Sequence, residues 1–185
     1  MAVDFQAIID FHYPAGDPAR EILLHHSFQV RDKALAIWEY CPLRDAIDPE
    51  TVAAGAMLHD IGIRLCHAPD IGCHGNLPYI AHGIAGGKML REFDPALETM
   101  ARVCERHTGT GLTAAEIRAR ALPLPELDFL PETPTEKLIC LADKFFSKSG
   151  DFREKPLALV RAQIARFGAA NTARFEALLA LFAMQ

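Results

Sequence analysis

The sequence contains no cluster of basic residues and no long hydrophobic run. It has 19 Lys and Arg against 24 Asp and Glu, a net charge of -5. Proteins that follow a nucleic acid backbone need clustered basic side chains, so no nucleic acid tract is expected as a partner. The longest apolar run, Ala177–Met184, is too short to span a bilayer, and Met1–Asp10 lacks the basic-then-apolar order of a secretory signal. We therefore expect no membrane partner and a cytoplasmic protein.

The sequence also contains no pair of cysteines in CxxC spacing. The five cysteines are odd in number, which disfavours a disulfide framework and a cysteine-only zinc site and fits a reducing compartment. Histidine, by contrast, occurs eight times. Because imidazole is the commonest metal ligand and carries protons near neutral pH, this number calls for an explanation.

The length of 185 residues and a hydrophobic share of 50% predict one packed domain over residues 1–185. Helix signals dominate it. Asp17, Asp48 and Asp94 each precede a proline, the order that caps a helix and places proline at its first position. The segment 113–116 reads as a capping box.

Apolar periodicity and these caps predict an all-α fold, a helical bundle without a convincing strand. The expected helices are Pro18–Tyr40, Pro49–Ile61, Gly83–Phe93, Pro95–His107, Thr113–Ala121, Pro134–Lys148, Pro156–Phe167 and Asn171–Ala183. The proline-punctuated segments Cys66–Ala81 and Pro123–Pro134 are expected to be ordered loops over a site. Gly62, Gly109 and Gly168 each follow a helical pattern, where a left-handed residue is wanted.

The sharpest local motif is His59-Asp60-Ile61-Gly62 at the end of a predicted helix. Neighbouring helical residues point about 100° apart, so His59 and Asp60 can share a metal only beyond the helix terminus. An imidazole and a carboxylate together favour Mn, Fe, Co, Ni or Mg over copper(I).

Other polar residues lie within apolar helical stripes. His26 shares a face with Leu23 and Val30, and His107 and Asp143 lie in similar stripes. A buried carboxylate without a partner costs several kcal/mol, so such a group neutralises itself or finds a cation. A metal would satisfy all these inward-facing groups together.

The ordered set His26, His59-Asp60 and Asp143, with HDIG intact, resembles the HD-domain metal-dependent phosphohydrolases. The resemblance spans about residues 22–149, and helices of about 156–184 would pack on that core. It implies a helical bundle with the metal site in its core, between helices. His82 and His107 match members of the family that hold two metals.

The resemblance implies which residues hold the metals. His26, His59, Asp60 and Asp143 would bind the first divalent ion, and Asp60 would bridge to a second held by His82 and His107. Their identity among Fe, Mn, Co, Ni, Zn and Mg stays open. No further cofactor is expected.

The chain departs from the family after the HDIG glycine, where many members have lysine and this sequence has Ile63. A lysine role cannot be transferred to that position. Lys144 and Arg64 are the remaining candidates for contact with phosphate and, with Asp60, form the predicted catalytic set. Lys148 is interpreted as part of a solvated helix face.

The implied reaction is hydrolysis of a small phosphoester or phosphoanhydride by a metal-bound hydroxide. Two alternatives stay open, a mixed-valent di-iron oxygenase on the same fold and a regulatory module that binds nucleotide without turnover. The substrate and the oligomeric state stay unassigned.

Four histidines remain outside this set. His25 is expected at the surface or behind the ligands, and His12 is expected to be solvated. His67 and His74 each follow a cysteine, but their spacing is a poor match to a zinc site, and the alternative is that they line the entrance. Tyr79 could be a packing residue or a substrate contact.

Overall fold

The computed structural model describes residues 3–184, and within that range the fold is all-α, as predicted. Its helices are α1 (Phe5–His12), α2 (Pro18–Tyr40), α3 (Pro49–Leu58), α4 (His82–Phe93), α5 (Glu98–Arg106), α6 (Ala114–Ala119), α7 (Pro134–Asp143), α8 (Leu157–Ala165) and α9 (Ala169–Leu181). None of these helices is both long and apolar enough to cross a membrane.

The predicted helix caps are confirmed. The carboxylates of Asp17 and Asp48 accept backbone N–H groups at the starts of α2 and α3, and Asp94 does so before the 3-10 turn Pro95–Leu97. Thr113 and Glu116 form the expected capping box, which starts α6. Local sequence therefore determines where these helices begin.

Helices α2, α3, α5 and α7 pack around a common core. Val30 and Ala34 of α2 are fully buried against Leu138 and Leu141 of α7. Burying an aliphatic side chain of this size contributes about 1.5–3 kcal/mol, so these contacts hold the long helix α2 and α7 in a defined relative position. His26 on α2 and Asp143 on α7 are brought together by this packing.

The C-terminal helices α8 and α9 pack on the same core. Val160 of α8 and Phe175 of α9 are buried in the same cluster as Ile139 and Phe145. A polar contact joins α9 to α6, because Arg174 donates to Glu116 Oε1 at 2.6 Å. That residues 1–185 form one domain stays a prediction.

Besides shifts of one to three residues at several helix ends, the structure differs from the predicted elements in three places. The segment Cys66–Ala81 contains a short antiparallel hairpin, β1 (His67–Ala68) and β2 (Cys73–His74), which is too short to show a strand period. Helix α1 was not predicted. The helix predicted to run to Lys148 ends at Asp143, so the five residues after it follow a different path.

Candidate metal centre

The six predicted ligands come from the ends of helices and from one helix interior. His26 lies within α2, and His59 and Asp60 follow the last residue of α3. His82 begins α4, His107 follows α5, and Asp143 ends α7. Their exposed fractions range from 0% to 9%, and Asp143 has the largest. The fold thus brings together in one buried cluster residues that span 117 positions of the chain.

The first group of ligand atoms is formed by His26, His59, Asp60 and Asp143. His26 Nε2 lies 3.0 Å from Asp143 Oδ1 and 3.2 Å from Asp60 Oδ2. His59 Nε2 lies 3.0 Å from the same Asp60 oxygen. Two imidazole nitrogens and two carboxylate oxygens therefore surround one small volume.

The second group is formed by Asp60, His82 and His107. The Nε2 atoms of His82 and His107 each lie 3.3 Å from Asp60 Oδ1. Asp60 therefore directs one oxygen to each group, which is the arrangement that a bridging carboxylate requires.

Backbone carbonyls orient three of the four imidazoles. The Nδ1 atoms of His59, His82 and His107 each lie 2.7 Å from the carbonyl oxygen three residues earlier, at Ala56, Tyr79 and Cys104. A carbonyl oxygen only accepts, so Nδ1 donates its hydrogen in each case. In the neutral ring this leaves the lone pair of Nε2 facing the cluster, as a metal ligand requires.

This tautomer makes the donor set a good match to metal ions. The Nε2 atoms of His82 and His107 are 3.0 Å apart, and two lone pairs at that distance repel unless a cation lies between them. Both oxygens of Asp60 are buried without a hydrogen bond of good geometry, although the ammonium of Lys148 lies 2.5 Å from Oδ2. Buried polar groups left in this state are rare and point to an ion. The residues present therefore fit two cations.

Burial and the carboxylates act in opposite directions on the pKa values of the histidines. Burial disfavours a charged His59, but Asp60 and Asp143 outweigh this effect and raise its pKa to about 9. Burial dominates at His82 and lowers its pKa to about 3, and it lowers the pKa of His107 as well. Burial likewise opposes the charge of Asp60, yet His59 and Lys148 hold its pKa well below the usual range.

Two lysines contact the carboxylates. Lys144 Nζ donates to Asp143 Oδ2 at 2.7 Å and to the carbonyl of His107 at 2.9 Å, which places this predicted catalytic residue beside the cluster. The interpretation of Lys148 as a solvated residue is wrong, because its Nζ lies 2.5 Å from Asp60 Oδ2 and its side chain is 13% exposed. The chain leaves the helix after Asp143, and this turns Lys148 inward.

Tyr79 covers one side of the cluster. Its ring stacks on His82 with centroids 4.8 Å apart, and Lys148 Nζ lies 5.9 Å from the centre of the same ring. Burial raises the pKa of Tyr79 to about 12, so it stays a neutral hydroxyl. Sequence reasoning left Tyr79 undecided, and the structure places it against a candidate ligand.

Arg64 is not brought into the cluster. Its guanidinium lies over the ring of Tyr13, 5.0 Å from the centroid, and 4.0 Å from Asp17. Arg64 lies in the 3-10 turn Ile61–Leu65 that directly follows Asp60, and its side chain contacts residues between α1 and α2 instead of the ligands. A catalytic role for Arg64 stays a prediction that these contacts do not favour.

Glycine is required at position 62 for a different reason from the one predicted. Gly62 is not among the glycines with positive φ, whereas Gly109 and Gly168 are, at 61° and 101°. A Cβ on Gly62 would collide with the backbone of His82 and Gly86. Gly62 therefore allows α4 to approach closely, which carries His82 to the ligands.

The remaining histidines lie outside the cluster. His25 is exposed beside Phe152, with ring centroids 5.0 Å apart, and His67 and His74 face each other across the exposed hairpin. Among the described residues, Cys66 and Cys73 take part in no candidate metal group, and both are buried. The prediction that His12 is solvated is wrong, because it is half-buried against Phe11 and Phe93.

Curated proteins similar to this chain include two named tRNA (cytidine(56)-2'-O)-methyltransferase. The one from Picrophilus torridus is 34% identical over 70% of this chain and 33% of its own length. The one from Thermoplasma volcanium is 31% identical over 82% of this chain and 38% of its own length. A continuous match of the latter extent must include every candidate ligand except His26.

An uncharacterized protein of Methanocaldococcus jannaschii is 40% identical over 52% of this chain and 49% of its own length. The chain thus spans a third to a half of the curated relatives it matches. No solved structure matches it. The model of the HD domain matches residues 23–147, a range that contains all six candidate ligands. The chain belongs to the HD-domain family.

Proposed function

We propose that this protein is a metal-dependent phosphohydrolase that cleaves a small phosphoester or phosphoanhydride. The observation that carries the proposal is the position of Asp60, whose two oxygens each face a separate group of imidazole nitrogens. Membership of the HD-domain family supports it. The substrate class is a nucleotide or another small phosphate.

Two divalent cations would be held by the six ligands. His26, His59, Asp60 and Asp143 would hold one, and Asp60, His82 and His107 the other. Nitrogen and carboxylate donors suit Fe, Mn, Co, Ni and Zn, and the carboxylates also suit Mg. When bound, such ions lower the pKa of a coordinated water and neutralise charge on phosphoryl oxygens.

The chain's own residues would orient this chemistry. The three carbonyl anchors hold the imidazoles in one tautomer, so no ligand needs to rotate or lose a proton from Nδ1. Lys144 keeps Asp143 ionised and in place, since its ammonium lowers the pKa of that buried carboxyl. Lys144 and Lys148 also supply positive charge beside the cluster, which favours an anionic substrate.

An RNA phosphate is a second candidate substrate, favoured by the names of the two tRNA-related relatives. Those proteins are much longer than the match, so their named activity is not transferred to this chain. The net charge of -5 argues against a long nucleic acid tract.

All five cysteines are unpaired, in agreement with the cytoplasmic location that we propose.

The proposal is tested by metal content and phosphate release in the wild type and in Asp60→Ala. The substrates are phosphomonoesters, nucleotides, cyclic nucleotides and a tRNA. We expect chelator-sensitive release in the wild type and a loss of about a thousandfold or more in the variant. Asp70→Ala serves as the control, because it removes an exposed aspartate of the segment Cys66–Ala81 that is not a candidate ligand.

Full metal and full activity in Asp60→Ala would contradict the proposal. Oxygen consumption by an iron-loaded protein that releases no phosphate would establish the oxygenase alternative instead. Tight nucleotide binding without product would establish the regulatory module.

A further inference from the structure

A cavity of about 210 Å³ lies beside the candidate metal centre. Its wall includes Asp143, the most exposed of the six candidate ligands, and Lys144 next to it. Through Asp143 the cavity reaches the ligand cluster, whose other members are at most 5% exposed. This volume is small for a ligand pocket, so the cavity suits a group of the size of a phosphate more than a whole large ligand.

The other side of this cavity is formed by the C-terminal part of the chain. Lys155, Gln163 and Phe167 line it from the start, the interior and the end of the α8 region. All three lie beyond residue 147, where the match to the HD domain ends. The cavity therefore joins the family's ligand set to residues that the family model does not include.

The charges around this cavity do not balance. Lys144 is paired with Asp143 and Lys148 with Asp60. Lys155 is half-buried, and among the described residues it forms no ion pair. Burial disfavours the charged ammonium of Lys155 and lowers its pKa, while Asp143 opposes this shift. In the wall of the cavity one carboxylate, Asp143, thus faces two lysines, Lys144 and Lys155, an excess of one positive charge before any metal is counted.

The remaining lining supplies one polar group and an apolar wall. Gln163 is half-buried and its side chain offers two N–H donors to an anion. Phe146 is buried, while Phe167 is 55% exposed at the rim. An unpaired lysine, an amide and two aromatic rings around one opening fit an anionic head attached to a flat or apolar group.

We infer that this cavity is the substrate subsite, in which Lys155 and Gln163 bind the phosphate of a small phosphomonoester, such as a mononucleotide, next to Asp143. This inference rests on the proposed function and adds to it the residues that select the substrate. Lys144 has one N–H left after its bonds to Asp143 and His107, and that group is free to face the same phosphate.

The test is calorimetric titration of inorganic phosphate into the manganese-loaded protein, with metal content measured for every variant. Lys155→Gln removes the unpaired charge, and Gln163→Glu adds a negative charge at nearly constant volume. We expect each to weaken phosphate binding by about tenfold or more, because each alters a charge-assisted contact. Lys155→Arg should stay within about threefold of the wild type, since it keeps the charge.

Lys88→Gln is the matched control, because Lys88 is exposed and its one ion pair within residues 3–184 is with Glu92 on α4. It should bind phosphate like the wild type. Unchanged affinity in both Lys155→Gln and Gln163→Glu would overturn the inference, as would a wild-type protein that binds no phosphate at millimolar concentration.

The binding assay separates this inference from the proposed function. Weakened phosphate binding in the two variants supports the subsite even if no phosphoester is cleaved. Conversely, hydrolysis with the same KM in Lys155→Gln as in the wild type contradicts the subsite and leaves the hydrolase proposal intact.

Discussion

Lys148 Nζ lies 2.5 Å from Oδ2 of Asp60, a carboxylate that is completely buried. The same oxygen faces His26 and His59, so the ammonium and a cation in the first group would share one acceptor. Lys148 therefore stabilises Asp60 in the metal-free protein and competes with metal for it. The two effects have opposite signs, and this makes them separable by experiment.

Replacing Lys148 with methionine should destabilise the metal-free protein. Breaking a buried ion pair leaves an uncompensated charge and costs about 3 kcal/mol in the free energy of unfolding. Excess divalent metal should recover most of that loss, because the metal supplies the missing charge to Asp60. Urea denaturation with chelator and with metal measures both effects.

Lys88→Met provides the comparison for a solvated lysine and should change stability by no more than about 0.5 kcal/mol in either condition. If Lys148→Met is as stable as the wild type in chelator, Lys148 does not compensate Asp60.

Replacing His107 with alanine should halve the metal content. His107 contributes only to the second group, so the first group keeps all four of its ligands. Elemental analysis of protein purified without chelator should give about two metal ions for the wild type and about one for the variant. His67→Ala, which removes an exposed hairpin histidine, should keep the wild-type content. Equal metal content in His107→Ala and His67→Ala would contradict the assignment of His107 as a metal ligand.

Metal affinity should rise with pH. Asp60 and Asp143 outweigh burial and raise the pKa of His59 to about 9, so this imidazole is protonated below that pH in the metal-free protein. A metal must displace that proton, which gives about a tenfold gain in affinity per pH unit from about pH 6 to about pH 8. The gain should flatten above the pKa of His59. His82, with a pKa of about 3, is already neutral and adds nothing in this range.

Competition with a metal-sensitive dye at several pH values measures this dependence. The dye must be calibrated at each pH, so that its own protonation is not counted. A flat profile for the protein would show that His59 is neutral before metal binds, contrary to the raised pKa.

Replacing Gly62 with alanine should displace α4. The added Cβ collides with atoms of His82 and Gly86 that belong to the backbone, and these atoms cannot move aside as the end of a flexible side chain could. Overpacking of this kind costs about 3 kcal/mol and should reduce metal content at the second group. Thermal unfolding and elemental analysis test the two consequences.

Gly16→Ala controls for the loss of glycine itself. Gly16 has a φ of 85° and nothing within 4 Å of an added Cβ, so only backbone strain of about 1 kcal/mol is expected there. Gly62→Ala with wild-type stability and metal content would show that α4 can yield without moving His82.

Much of the fold could be predicted because its signals are local. Helix α2 begins and ends at the predicted residues, since Asp17 caps it and its apolar stripe continues to Ile37, one turn before its end at Tyr40. The two-residue strands were missed because alternation cannot be recognised in so short a segment. Lys148 was misassigned because a helix was extended past Asp143, where the structure turns.

The candidate ligands were also accessible to sequence reasoning, but the residues alone did not reveal how they are grouped. Each of His26, His107 and Asp143 lies in an apolar stripe, and that position shows only that the side chain faces the core. Which oxygen of Asp60 faces which histidine depends on how four helices pack. Likewise, Lys155 and Gln163 carry no motif, and only the cavity connects them with Asp143.

The sequence by itself determined the helical class, the caps and the polar groups that point into the core, because each depends on neighbours within one or two turns of chain. Only the tertiary structure decided that Asp60 lies between two groups of imidazoles, that Lys148 is its counter-charge, and that Gly62 admits α4. Those relationships join residues far apart in the chain, and they follow from the packing of helices whose mutual positions no local pattern encodes.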